Sequence, residues 1–189
     1  MAIKSRRIEY NHEGTLLEGC LAWNEDGKGP KPGILVSHAW AGRDEFVVNK
    51  AKALAELGYV AFAHDLYGKG VLGTSTEENQ ALMQPFMDDR AFLQSRLKKC
   101  LEVLREQPQV DASRTAIMGF CFGGLCAMDL ARSGADIQGA ISMHGLPFPP
   151  EVTHPIQAKM LICHGWDDPM ADPDSIVALG QELSEAGAD

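Results

Sequence analysis

A cysteine framed by glycines carries the most specific chemistry in this chain of 189 residues. Gly119-Phe120-Cys121-Phe122-Gly123-Gly124 follows the apolar run Thr115-Ala116-Ile117-Met118 and leads into helical sequence at Leu125 to Ala131. A strand that turns sharply into a helix presents the turn residue outward, where the first helical N–H groups have no intrahelical partner. Gly119 and Gly123 have no Cβ, so strand and helix can approach closely around a strained residue. A thiol there faces unpaired donors and the positive end of the helix dipole. Such settings lower a cysteine pKa from about 8.5 to roughly 3.5–7.5. These residue types point to nucleophilic attack by Cys121, with the Phe122 backbone N–H donating to the oxyanion that attack creates. Cys20, Cys100, Cys126 and Cys163 lack this frame and read as small buried hydrophobes.

The pattern along the chain supplies a scaffold for that turn. Ser5 to Trp23 reads as two strands around Asn11-His12-Glu13-Gly14, and Asn24 to Gly33 as a loop. Gly33 to Ser37 is a continuous apolar run, as expected of a strand buried on both faces. Val47, Ala51, Leu54 and Ala55 then recur at helical spacing, with Gly58 as the stop. Tyr59 to Ala63 is a strand, and Tyr67 to Thr76 a glycine-rich loop. Helical sequence runs from about Pro85 to Glu106, with Leu93, Leu97, Cys100, Leu101 and Leu104 on one stripe. Ile137 to Met143 and Lys159 to Cys163 are further strands, and Pro173 behind Asp172 starts a last helix that ends near Gly187. Alternation of this kind predicts a mostly parallel sheet with helices on both faces and its chemistry at the carboxyl ends of the strands. No repeat or linker interrupts it, so residues 1–189 read as one α/β domain behind an N-terminal antiparallel hairpin.

GFCFGG resembles the G-x-C-x-G-G motif of the dienelactone hydrolase family. His64-Asp65-Leu66-Tyr67-Gly68 and His164-Gly165-Trp166-Asp167-Asp168-Pro169 agree with that resemblance, which spans the chain from about Gly33 to its end. It implies an α/β-hydrolase fold and a Cys-His-Asp triad that cleaves a small carboxylic ester or lactone without a cofactor. In that fold the triad runs nucleophile, acid, histidine along the chain. The loop after Lys159 to Cys163 then offers Asp168 as the acid that orients the histidine, with Asp167 as runner-up. The resemblance assigns the second oxyanion donor to the Trp40 backbone N–H, in Ser37-His38-Ala39-Trp40-Ala41-Gly42. Two positions depart from the family pattern: Ala39 stands where dienelactone hydrolases proper carry a glutamate, and Glu77 to Phe86 holds no counterpart of the arginine that binds the dienelactone carboxylate. Both weaken the case for dienelactone itself more than the case for ester chemistry.

The histidine is the gap. Of the six histidines, His12 lies in the hairpin turn and His154 in a loop. His38, His64, His144 and His164 fall at strand ends, too early in the chain order. The expectation is therefore a fold lacking its last strand and helix, with the histidine beyond the chain and little activity in this polypeptide alone. Four of those histidines, with Asp65 and Asp168, fall near the carboxyl ends of strands, where a metal could be held, but they lack close ligand spacing. A non-catalytic binding protein on the same scaffold is the alternative reading. The net charge of −9 argues against nucleic acid and anionic membranes as partners. Five scattered cysteines and the polar start MAIKSRRIEYN point to a cytoplasmic protein. No apolar run approaches the roughly 20 residues of a membrane span.

Overall fold

The computed structural model describes residues 2–26 and 29–188. Gly27 and Lys28, within the expected Asn24 to Gly33 loop, lie outside the described residues, as do Met1 and Asp189.

The hairpin forms as β1 (Ile3–His12) and β2 (Thr15–Asn24), paired antiparallel along their whole length. Its turn residues, Glu13 and Gly14, both have positive φ (48° and 79°). That geometry matches the right-handed twist of the flanking strands. The sheet continues through β3 (Lys31–Ser37), β4 (Val60–Ala63), β5 (Val110–Phe120), β6 (Gly139–Met143) and β7 (Lys159–Cys163). Its order is β1-β2-β4-β3-β5-β6-β7, and every pairing from β4 to β7 is parallel. The order reverses direction at β3, so the loop after β3 and the turn after β5 lie side by side at the carboxyl edge, where such sheets do their chemistry.

The first helix, α1 (Glu45–Glu56), takes its N-cap from Asp44 and buries Val47, Val48, Ala51 and Ala55 against β2 and β4. The expected single helix from Pro85 to Glu106 is instead two: α2 (Thr76–Asp88) and α3 (Arg90–Arg105). Asp89 breaks them with φ −123° and ψ 86°, and its carboxylate accepts Phe92 N–H at 2.8 Å as the cap of α3. Pro85 had already removed one donor from the last turn of α2, so continuing the helix offered little. The stripe of Leu93, Leu97, Cys100, Leu101 and Leu104 is buried as its spacing predicts.

Helices α3 and α4 (Phe122–Arg132) cover the face of the sheet opposite α1. On β5 that face buries Thr115, Ile117 and Gly119, while Ala116, Met118 and Phe120 on the other face are only half-buried. The contrast sharpens on β7, where Leu161 and Cys163 are exposed. The chain continues through α5 (Pro173–Glu185), capped by Asp172 as its sequence predicts. No helix among the described residues is long and apolar enough to cross a membrane.

Candidate active site

Cys121 sits between β5 and α4 with φ 55° and ψ −117°, a region that non-glycine residues rarely occupy. Neighbours hold it there. Its N–H donates to the Met143 carbonyl at 3.0 Å, and its carbonyl accepts Gly124 N–H at 2.8 Å and Leu125 N–H at 3.3 Å. The glycines on either side are sterically required. A Cβ at Gly119 would meet the Gly123 carbonyl, and one at Gly123 would meet the carbonyls of Ser37 and His38. The second contact also packs the loop after β3, with Trp40 in it, against the first turn of α4.

The thiol is half-buried, and its acidity departs from expectation. Burial pushes the Cys121 thiol up; a hydrogen bond from Phe122 N–H pulls it down, and the charge of Asp168 raises it further. The helix terminus was expected to depress this pKa. Desolvation outweighs one amide dipole here, and among the described residues no cation acts on the sulfur.

Asp168 is the carboxylate electrically coupled to Cys121. One of its oxygens accepts Met170 N–H at 2.8 Å, and the other lies 3.8 Å from His164 Nε2, too far for a hydrogen bond. The runner-up Asp167 is exposed. Of the two proposed oxyanion donors, Phe122 is fully buried with its N–H turned to the cysteine sulfur. Trp40 is half-buried in the loop after β3. Among the described residues neither amide donates to a backbone carbonyl.

The histidines are dispersed. His12 pairs with Ser95 and Arg96 on the outside of the hairpin. The backbone of His154 binds the carbonyl of Arg132 at the end of α4. His38 and His64 are fully buried beneath the loop after β3, where Ser37 Oγ lies 2.6 Å from His64 Nε2. His144 is exposed, with a positive φ of 42°, at the end of β6. The His164 ring is buried, with neither nitrogen hydrogen-bonded among the described residues. Among those residues, no group of three or more His, Cys, Asp or Glu side chains could hold a metal ion. The sequence of the His64 to Gly68 motif by itself points to no chemical role. In the structure its Tyr67 hydroxyl donates to the Trp40 carbonyl at 3.0 Å.

A mostly parallel seven-stranded sheet with a strained cysteine at a strand-to-helix turn defines an α/β-hydrolase-like protein. Comparison with known sequences is more specific: the dienelactone hydrolase family model matches residues 17–189, and the chain belongs to that family. A solved relative, a dienelactone hydrolase-like promiscuous phosphotriesterase from metagenomic libraries, is 32% identical with a TM-score of 0.94, and the match covers 100% of this chain and 80% of that one. The carboxymethylenebutenolidase of Pseudomonas putida is 27% identical over 142 residues, covering 68% of this chain and 58% of the enzyme. Protein usf of Aquifex pyrophilus is 23% identical over 188 residues, covering 96% of this chain and 80% of that protein.

Proposed function

We propose nucleophilic cleavage of small carboxylic esters or lactones by Cys121, with Asp168 as the acid of a Cys-His-Asp triad to which none of the six histidines is assigned. The histidine takes the thiol proton as the sulfur bonds to the carbonyl carbon, and the π pair moves onto oxygen, where the N–H groups of Trp40 and Phe122 stabilise it. Collapse restores the carbonyl and expels the alkoxide, which takes its proton from the histidine. Water, deprotonated by the same imidazole, then attacks the thioester to release the acid and regenerate the thiol. Asp168 accepts the other imidazole N–H and stabilises the cation that forms at each step. A relative whose name contains a butenolide, an unsaturated lactone, supports the substrate class.

The observation that carries this reading is the strained Cys121, which receives the Phe122 N–H on its sulfur and feels the charge of Asp168. A scaffold protein has no reason to keep a backbone strain of about 1–3 kcal/mol at such a position. Single-turnover acylation by p-nitrophenyl acetate, located by peptide mass mapping, tests it. The acyl group is expected on Cys121 and should be absent in Cys121→Ala. Acylation at Cys20 or Cys163 instead, or none in a folded sample, would favour the binding-protein alternative.

A further inference from the structure

The Ala39 carbonyl and the Trp40 N–H belong to one peptide unit, and a planar trans peptide points them in opposite directions. Whatever holds the Ala39 oxygen therefore aims the Trp40 hydrogen. His38 Nδ1 donates to that oxygen at 2.7 Å and Gly42 N–H donates to it at 3.1 Å. The other ring nitrogen, His38 Nε2, accepts Leu66 N–H at 3.3 Å. Accepting at Nε2 fixes the proton of the neutral ring on Nδ1, the nitrogen that faces Ala39. Full burial favours the neutral ring as well.

The other side of Trp40 is also tied. Its carbonyl accepts the Tyr67 hydroxyl at 3.0 Å. The Tyr67 ring meets His38 edge-on with centroids 4.8 Å apart, and lies nearly parallel to Phe122, at 20° and 6.2 Å. One phenol thus touches the residue that orients the first amide and the residue that supplies the second. Leu66 and Tyr67 both come from the loop after β4, so the clamp joins three segments distant in sequence.

We propose that His38 and Tyr67 are positioning residues that aim the Trp40 N–H at the oxyanion, so that the His64 to Gly68 loop sets the geometry of the oxyanion site. The inference rests on the proposal that Cys121 attacks a carbonyl. It requires no contact between either side chain and substrate.

An aryl trifluoromethyl ketone, followed by fluorine NMR, reads the oxyanion site without needing a base or a leaving group. The cysteine sulfur adds to the ketone carbon, the π pair moves to oxygen, and the thiol proton goes to solvent. Iodoacetamide is the control: the sulfur displaces iodide and no oxyanion forms. Tyr67→Phe removes one hydroxyl and keeps the ring; His38→Leu removes both ring contacts, and His38→Asn restores a donor near the Nδ1 position. Because a displacement of about 1 Å can cost 10²-fold in such sites, Tyr67→Phe and His38→Leu are expected to bind the ketone roughly 10- to 100-fold more weakly. Their alkylation rate at Cys121 should stay near that of the parent, with His38→Asn intermediate in ketone affinity. Unchanged ketone affinity in folded Tyr67→Phe and His38→Leu overturns the proposal, as does alkylation that falls in parallel with affinity. If the parent chain itself forms no ketone adduct while Cys121 alkylates, carbonyl attack by Cys121 is refuted first.

Discussion

The Cys121 sulfur is subject to opposing influences, and their balance sets what the residue can do alone. The Phe122 N–H favours the thiolate, whereas burial and the negative Asp168 disfavour it, and the sum lies above an ordinary cysteine. A neutral thiol near pH 7 is a poor nucleophile, so a base has to take its proton as attack begins. The rate of iodoacetamide alkylation at Cys121, followed against pH by peptide mapping, is expected to keep rising past about 8.5, the midpoint of an unperturbed thiol. Asp168→Asn removes a like charge and should move that midpoint downward. A parent midpoint at or below that of a free cysteine would mean that the helix terminus outweighs burial after all.

At the level of elements, the turn works because two glycines let three backbones touch. Gly123→Ala would drive a methyl group into the carbonyls of Ser37 and His38, and backbone cannot yield as a flexible side chain can. Overpacking of this kind costs about 1–3 kcal/mol, and the shift would also push the loop after β3 away from Cys121. Urea unfolding should show that loss together with slower acylation of Cys121. Asp89→Ala is milder: losing the cap of α3 should cost about 1 kcal/mol, with acylation unchanged, because the Asp89 carboxylate bonds the Phe92 N–H and not the groups around the thiol. Much of this layer was legible in the sequence. Strands β3 to β7, the helix stripes and the Asp172 cap follow from periodicity and local capping chemistry, and the elbow from the spacing of Gly119, Cys121 and Gly123. The break at Asp89 was missed because the apolar spacing runs on through it while the cap depends on one residue's φ and ψ. The clamp of His38 and Tyr67 on Trp40 was missed for a different reason. It joins residues brought together only by the neighbouring positions of β3 and β4 in the sheet, and the depressed acidity of Cys121 came from burial that no local pattern encodes.

The whole molecule is joined by buried polar groups as well as by its apolar core. Arg132 and Asp129 on α4 have fully buried side chains; Arg132 grips Glu182 of α5 through two hydrogen bonds at 2.8 and 2.6 Å, and Arg90 of α3 grips Asp129 through two at 2.6 Å. Removing one partner of a buried pair strands the other, so Asp129→Asn should cost about 3–5 kcal/mol in urea unfolding. Glu102→Gln, which breaks the exposed pair with Lys99, should change stability by no more than about 0.5 kcal/mol.

The fold also has a built-in sensitivity to acid, located in the two histidines beneath the loop after β3. Burial, reinforced by neighbouring His38, lowers the pKa of His64 from 6.5 to about 3, and burial lowers that of His38 as well. The unfolded chain takes up a proton on each ring near pH 6.5, whereas in the folded chain both rings take it up at lower pH, His64 at about 3. Stability is therefore fully present above about pH 6.5 and declines as pH falls, for His64 by about 1.4 kcal/mol per pH unit down to about pH 3, with His38 contributing in the same direction. His64→Gln has nothing to protonate, so it should unfold less steeply with acid than the parent across that window, even if it is less stable at pH 8. Urea midpoints at a series of pH values measure both slopes. Equal slopes in the parent and His64→Gln would show that the acid limb originates elsewhere.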